Sequence, residues 1–162
     1  MKAKRSAKPW YHKGIQFGCT RCGACCRRNG YVWLCDLDIT RLANHLGLPV
    51  EEFRARYTRE ITIEGQDQPG VCLTRAPHGC IFLDDARNEC TVYPARPTQC
   101  QTFPFWPMVL ESRAVWKREV EAMCGREALE QGRIYTREEI LALSAHITAV
   151  KPVPAQAGEE GP

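Results

Sequence analysis

Residues 17–34 read FGCTRCGACCRRNGYVWL and place four cysteines, Cys19, Cys22, Cys25 and Cys26, within eight positions. Thiols at this density close disulfides, hold a metal or react. In Cys19-x2-Cys22-x2-Cys25 two residues separate successive thiols. The chain can then turn so that the sulfurs face one centre, while backbone N–H groups point at them and stabilise thiolate charge. Gly23 relieves such a turn sterically. Cys26 follows Cys25 directly, and neighbouring side chains diverge, so one tetrahedral ion does not easily use all four.

Of the remaining thiols, Cys80, Cys90, Cys100 and Cys124 stand beside turns, prolines or glycine. Cys35 follows VWL and Cys72 lies inside GVCLT, where a small buried hydrophobe fits well. Four thiols in front and four behind make eight, enough for two four-cysteine centres or one larger cluster, and spacing alone leaves the pairing open. The triplet is similar to the opening of a bacterial ferredoxin motif. That motif continues with a cysteine three residues further on and a proline, and here the match stops.

Compartment decides between disulfides and metal. The basic N-terminal stretch MKAKRSAKPWYHKG is followed by no apolar run, and no segment has the length needed to cross a bilayer. A soluble, cytoplasmic protein is expected, and in a reducing cytosol dense cysteines bind metal or do redox work. The net charge of +3 is mild. No basic stripe interleaved with aromatics calls for nucleic acid.

The elements that must position these thiols are short. At 162 residues, with ten cysteines inside the apolar count, the expectation is a small, irregular single α+β domain with short helices and a β-hairpin, organised around Cys-bound metal. Residues 1–16 read as a basic arm, 17–150 as the cysteine-cluster domain and 151–162 as a disordered tail. YVWL at 31–34 reads as a short strand. DLDITRLANHLG carries Ile39, Leu42, Ala43 and Leu46 on one helical face, with Asp36 or Asp38 at its start and Gly47 at its end. PVEEFRARY suggests a second helix with Pro49 in its first turn. EITIEG alternates like a strand, and Cys80 to Tyr93 reads as one hairpin, with Cys80 entering one strand and Cys90 starting the next. PARPTQCQTFPFWP is too proline-rich for more than a helical turn. Residues 111–123 fit a helix on the face Val115, Trp116, Val120 and Met123, with strand as the alternative. In YTREEILALSAHITAV, Thr136 and Glu139 form a capping box ahead of Ile140, Leu143 and Ile147.

FGCTRCGACC, DITRLANHLGL, EEFRARY, CIFLD, CTVYPARPTQCQTFPF and the late Cys124-Gly125, taken in this order, resemble the YkgJ-type cysteine-cluster family, a zinc- or iron-chelating domain with a CxxCxxCC signature. The resemblance runs over roughly residues 17–125. It implies Cys19, Cys22, Cys25, Cys26, Cys80, Cys90, Cys100 and Cys124 as metal ligands and leaves Cys35 and Cys72 outside the signature. The family tends to place a spacer between the late cysteine and its glycine, and here Gly125 follows Cys124 directly. A related cysteine-rich stretch occurs in flagellin lysine methylases, but no S-adenosylmethionine-binding loop is recognisable here.

Other residues are weighed against plainer roles. His78, two before Cys80, suits a ligand or a partner to a sulfur, and equally a solvent-facing turn. Arg96 before Cys100 can offset thiolate charge or simply pack. Phe103, Phe105 and Trp106 can shield a centre or build a core. Asp84 and Asp85 read as a turn rather than a catalytic pair. The function expected is metal binding. The high thiolate count without partner histidines leans toward an iron–sulfur cluster over zinc, in electron transfer or redox chemistry with an unnamed redox or protein partner. The alternatives are a zinc-stabilised interaction module and a metal carrier or chelator; no enzymatic activity is assigned.

Overall fold

The computed structural model describes residues 8–62 and 69–149. In chain order the elements are β1 (Ile15–Phe17), α1 (Ala24–Arg27), α2 (Asp36–Leu46), α3 (Val50–Tyr57), β2 (Thr58–Ile61) and β3 (Gly70–Leu73). Four two-residue strands follow: β4 (Arg75–Ala76), β5 (Gly79–Cys80), β6 (Leu83–Asp84) and β7 (Glu89–Cys90). After a 3-10 turn at Tyr93–Ala95 come α4 (Thr98–Thr102), α5 (Pro107–Leu110), α6 (Arg113–Trp116), a π turn at Lys117–Glu121, α7 (Ala122–Glu130), β8 (Arg133–Tyr135) and α8 (Arg137–Ala149). The strands form antiparallel pairs only, β1–β8, β2–β3, β4–β5 and β6–β7, so the fold is α+β. The described residues group into two compact units, one of residues up to Thr20 with Pro104–Thr148, the other spanning Arg21–Phe103.

The first unit is built on rings. Phe105 stacks on Trp116 at 6.2 Å and meets Phe17 edge-on at 6.2 Å, with Tyr135 at 4.6 Å. Phe105 is therefore core, the plainer of its two expected roles. Trp116 and Val120 are buried as the helical face requires. That helix begins at Arg113 under a Ser112 cap, whose Oγ accepts from Val115 N at 3.2 Å, and is interrupted by the π turn. Thr136 and Glu139 do form the capping box of α8: Glu139 Oε2 accepts from Thr136 N at 2.7 Å and Thr136 Oγ1 accepts from Glu139 N at 3.2 Å.

The expected basic arm is folded over its described part. Trp10 donates its indole N–H to Leu110 O at 2.9 Å and its ring meets Trp116 at 5.4 Å, while Ile15 and Phe17 are buried on β1 against β8. The apolar residues within this basic stretch outweigh its lysines. Residues 1–7, the tail at 151–162 and the 63–65 portion of the EITIEG strand lie outside the described residues.

The second unit has its own apolar core of Leu34, Ile39, Leu42, Ala43, Phe53, Val71, Leu73, Phe82, Val92 and Ala95. Ile39, Leu42 and Ala43 are the expected buried face of α2, and Gly47 closes that helix at φ 67. YVWL contributes an isolated bridge from Trp33 to Cys72 rather than a strand, flanked by Leu34 N to Val71 O and Leu73 N to Val32 O, both 3.0 Å. The start of α2 is capped by Cys35, with Asp38 accepting from Cys35 N at 3.3 Å.

Asp38 also reaches across the unit. Its buried carboxylate accepts from Thr98 N and Thr98 Oγ1, both at 2.9 Å, and pairs with Arg41. Arg41 in turn donates to Ala95 O at 3.5 Å and Arg96 O at 2.9 Å. One carboxylate thus ties the start of α2 to the start of α4.

Two outcomes test this framework. A Cβ built on Gly132 would overlap the Phe17 carbonyl carbon, and backbone cannot yield as a side chain can. Gly132→Ala should cost about 3 kcal/mol or more by thermal denaturation. Asp38→Ala strands the Thr98 and Cys35 amides and Arg41 together, and should cost roughly 3–5 kcal/mol in guanidinium titrations.

Candidate metal centre

Short polar contacts hold the cysteine loop in the second unit. Arg21 and Gly23 both take left-handed backbone, φ 58 and φ 71, and curl the chain into the single turn of α1. The Cys26 and Arg27 amides donate back to Gly23 O at 3.0 and 3.2 Å. Asn88, itself left-handed at φ 59, donates to Cys22 O at 2.6 Å and accepts from Arg27. Arg27 also pairs with Asp85 at 2.6 Å. The β6–β7 turn is thereby fastened to the cysteine loop, and its shape comes from Asp84, whose Oδ1 accepts from the Ala86 and Arg87 amides at 3.1 and 3.0 Å.

The strands that carry the later thiols differ from the single hairpin expected for Cys80 to Tyr93. Cys80 pairs with Arg75 in β4–β5, and Cys90 pairs with Leu83 in β6–β7. Two separate hairpins form because Gly79, at φ 141, and the Asp84 turn each reverse the chain locally. Gly79 is also pressed on the loop: a Cβ there would lie 2.5 Å from Cys26 O and 3.0 Å from Arg27 Cα. That close approach sets Cys80 beside α1. Cys100 sits on α4, whose first residue is held by Asp38, and Gln99 beside it accepts from Trp33 N and donates to Tyr31 O, both at 3.0 Å.

The electrostatics follow from this crowding. The Cys26 thiol donates a hydrogen bond to Cys25 Sγ, which holds Cys25 down to about 7 against the cost of burial, helped by the Cys25 and Cys26 amides and the Arg96 charge. Cys26 is pushed up, first by that hydrogen bond, then by burial and by the charges of Cys25, Cys80 and Cys90. Burial pushes Cys80 up, partly offset by the Phe82 N–H and by Arg75. Cys100 is pushed up by burial and then by Cys25, Cys80 and Cys90. The charges of Cys25, Cys80 and Cys90 thus act on both Cys26 and Cys100. Among the described residues no three or more His, Cys, Asp or Glu side chains stand ready to hold a metal ion, so the five thiols are neighbours without converging on one point.

The other expected residues fall as follows. Cys22 is exposed on the same loop. Cys19 and Cys124 belong to the first unit, Cys19 exposed after β1 and Cys124 half-buried on α7 just before the helix breaks at Gly125, where φ is 74. Cys35 caps α2, and Cys72 is fully buried on β3 opposite Arg59; burial pushes both thiols up, and neither is among the charges that shift Cys25, Cys26, Cys80 or Cys100. His78 is a surface ring whose Nε2 lies 3.1 Å from Leu83 O. Asn88, Gly79, Asp38 and Gln99 had no assigned part in the site. Their signals, an Asn closing a turn and a Gly before a cysteine, are ordinary turn chemistry whose distant partners appear only in the fold.

As a donor set, clustered thiols with amide N–H groups aimed at their sulfurs suit a soft, thiophilic metal. No helix among the described residues is long and apolar enough to cross a membrane. The family model described as "CxxCxxCC: Putative zinc- or iron-chelating domain" matches residues 18–132. An uncharacterized protein of Methanocaldococcus jannaschii is 30% identical over 106 residues, 65% of this chain. The match covers 53% of that protein, so the chain spans about half the length of this relative. No solved structure matches the chain.

Gly79→Ala checks the contact that seats Cys80. The added methyl should push β5 from α1 and lower bound metal per chain by elemental analysis, while the far-ultraviolet circular dichroism of the helices is kept.

Proposed function

We propose that this chain, which belongs to the CxxCxxCC family, binds metal through an all-thiolate centre drawn from Cys25, Cys26, Cys80, Cys90 and Cys100, with Cys22 at its rim. The close seating of Gly79 on Cys26 O and the tie of Asn88 to Cys22 O, which draw the hairpins of Cys80 and Cys90 onto the cysteine loop, carry the proposal. A thiolate set without partner histidines leans toward an iron–sulfur cluster over zinc, because zinc sites often mix in histidine. The tie of His78 to Leu83 O supports a centre without histidine. A bound cluster would supply one-electron chemistry, and a redox partner is the expected counterpart. The chain's own part is to hold thiolate charge: the Cys25, Cys26 and Phe82 amides donate to sulfurs, and Arg75 and Arg96 offset their charge. Cys19 and Cys124, implied as ligands by the resemblance, belong to the first unit, and the proposal does not rest on them.

Exposure of Cys22 supports a second reading, a carrier that releases its metal. A structural centre should unfold when stripped, whereas a carrier should lose metal to a chelator and stay folded.

Iron, zinc and acid-labile sulfide measured per chain in anoxically purified protein separate the metals. Iron with matching sulfide is expected; zinc without sulfide would replace the cluster by a zinc site. Cys26→Ser should lower metal content, and Cys72→Ser should leave it unchanged. Unchanged metal and folding in Cys26→Ser would remove Cys26 from the ligands.

A further inference from the structure

Arg96 stands between the Tyr93–Ala95 turn and Pro97, at the entrance to α4. Its carbonyl is engaged, accepting from Arg41 at 2.9 Å and from Gln101 at 2.6 Å. Its guanidinium carbon lies 3.6 Å from the centre of the Tyr93 ring. That stack occupies the flat face of the guanidinium and leaves its N–H groups pointing outward in its plane. Arg96 Nε is buried, and it alone among the buried side-chain nitrogens and oxygens of the described residues has no hydrogen-bond partner.

A charged donor shut away from water without an acceptor is costly, and native chains leave few of them. The side chain is otherwise well held, so the missing acceptor is one that the free chain does not supply. The surroundings say what kind it is. Cys25 and Cys100 are the thiols on which the Arg96 charge acts. Thiolates gathered on a divalent metal keep net negative charge on sulfur, and such centres are completed by N–H donors around the ligands.

We infer that Arg96 Nε–H donates to a sulfur of the metal–thiolate centre, making Arg96 a positioning residue whose hydrogen bond is completed when the metal binds. This rests on the metal-centre reading above. It adds a residue that is not a ligand and gives it a direction.

The test uses the full chain with Zn2+ alone, its affinity read by competition with a chromophoric chelator under anoxic conditions. Arg96→Met should weaken Zn2+ binding by about tenfold or more. Arg96→Lys keeps the charge but has no donor at the Nε position, and should fall between Arg96→Met and wild type. Arg56→Met, on the exposed Arg56–Glu52 pair of α3, should match wild type. With Co2+ as the probe, the thiolate-to-metal absorption band should shift in Arg96→Met, which a merely structural arginine would not cause. A folded Arg96→Met with wild-type affinity and an unshifted band overturns the inference and leaves the centre standing. A wild-type chain that binds no Zn2+ and holds no iron when purified anoxically overturns the centre and the inference together; where it holds iron but binds no Zn2+, a folded Arg96→Met with wild-type iron content overturns the inference. If circular dichroism shows Arg96→Met unfolded, Arg96→Lys decides by the same two readings.

Discussion

Asp38 puts a carboxylate where no water reaches it, and a charge so placed must be ringed by donors or be lost to desolvation. The donors it collects come from three places: the Cys35 amide, the Thr98 amide and hydroxyl, and Arg41. Arg41 extends the same network to the carbonyls of Ala95 and Arg96. The start of α2, the turn before α4 and α4 itself are thus indexed to one group. Cys100 and Arg96, at opposite ends of that short segment, inherit their positions from it. The apolar core of the second unit supplies bulk stabilisation, but apolar contacts are non-directional. The aim of the segment comes from the carboxylate.

The thiols show what such scaffolding is for. Bringing several acidic groups into one field raises the cost of ionising each, and the vicinal pair responds by sharing a proton from Cys26 to Cys25. A metal ion answers the same problem by replacing protons with one concentrated positive charge. The chain meets the thiolate charge with backbone N–H groups and two arginines rather than with added lysines. It spends little secondary structure on it, since β4 to β7 are two residues each. Pairs so short are marginal alone. They persist through the contacts around them, Arg27 with Asp85, Asn88 with Cys22 O, and Gly79 against Cys26.

Much of this was legible from local pattern. The faces and ends of α2, α3 and α8 follow from periodicity, Gly47 and the Thr136–Glu139 box, because those signals act within a few residues. The cysteine loop was recognisable by spacing, and the α+β class by its mix of short runs. The hairpin over Cys80 to Tyr93 was framed too broadly. Apolar runs mark strands without saying which neighbours pair, and the reversals at Gly79 and Asp84 divide that stretch in two. The folded part of the N-terminal segment was hidden by its lysines, since the anchors of Trp10 and Ile15 lie about a hundred residues away in sequence. Asp38 looked like a helix-start residue, which it is. Its second task depends on Thr98, and no local signal carries that.

The β4–β5 and β6–β7 hairpins are closed by residues only a few positions apart, whereas Cys26 and Cys80 are joined across more than fifty. Local hairpins form within roughly 1–10 μs, and long closures must first overcome more chain entropy. A metal offered to the unfolded chain would therefore meet Cys22, Cys25 and Cys26 as a ready-made but incomplete claw. The full proposed set comes together only after Gly79 has docked on the loop. In the proposed centre, coordination of an ion would be completed by the docking of Gly79, so that binding and the last step of folding would coincide.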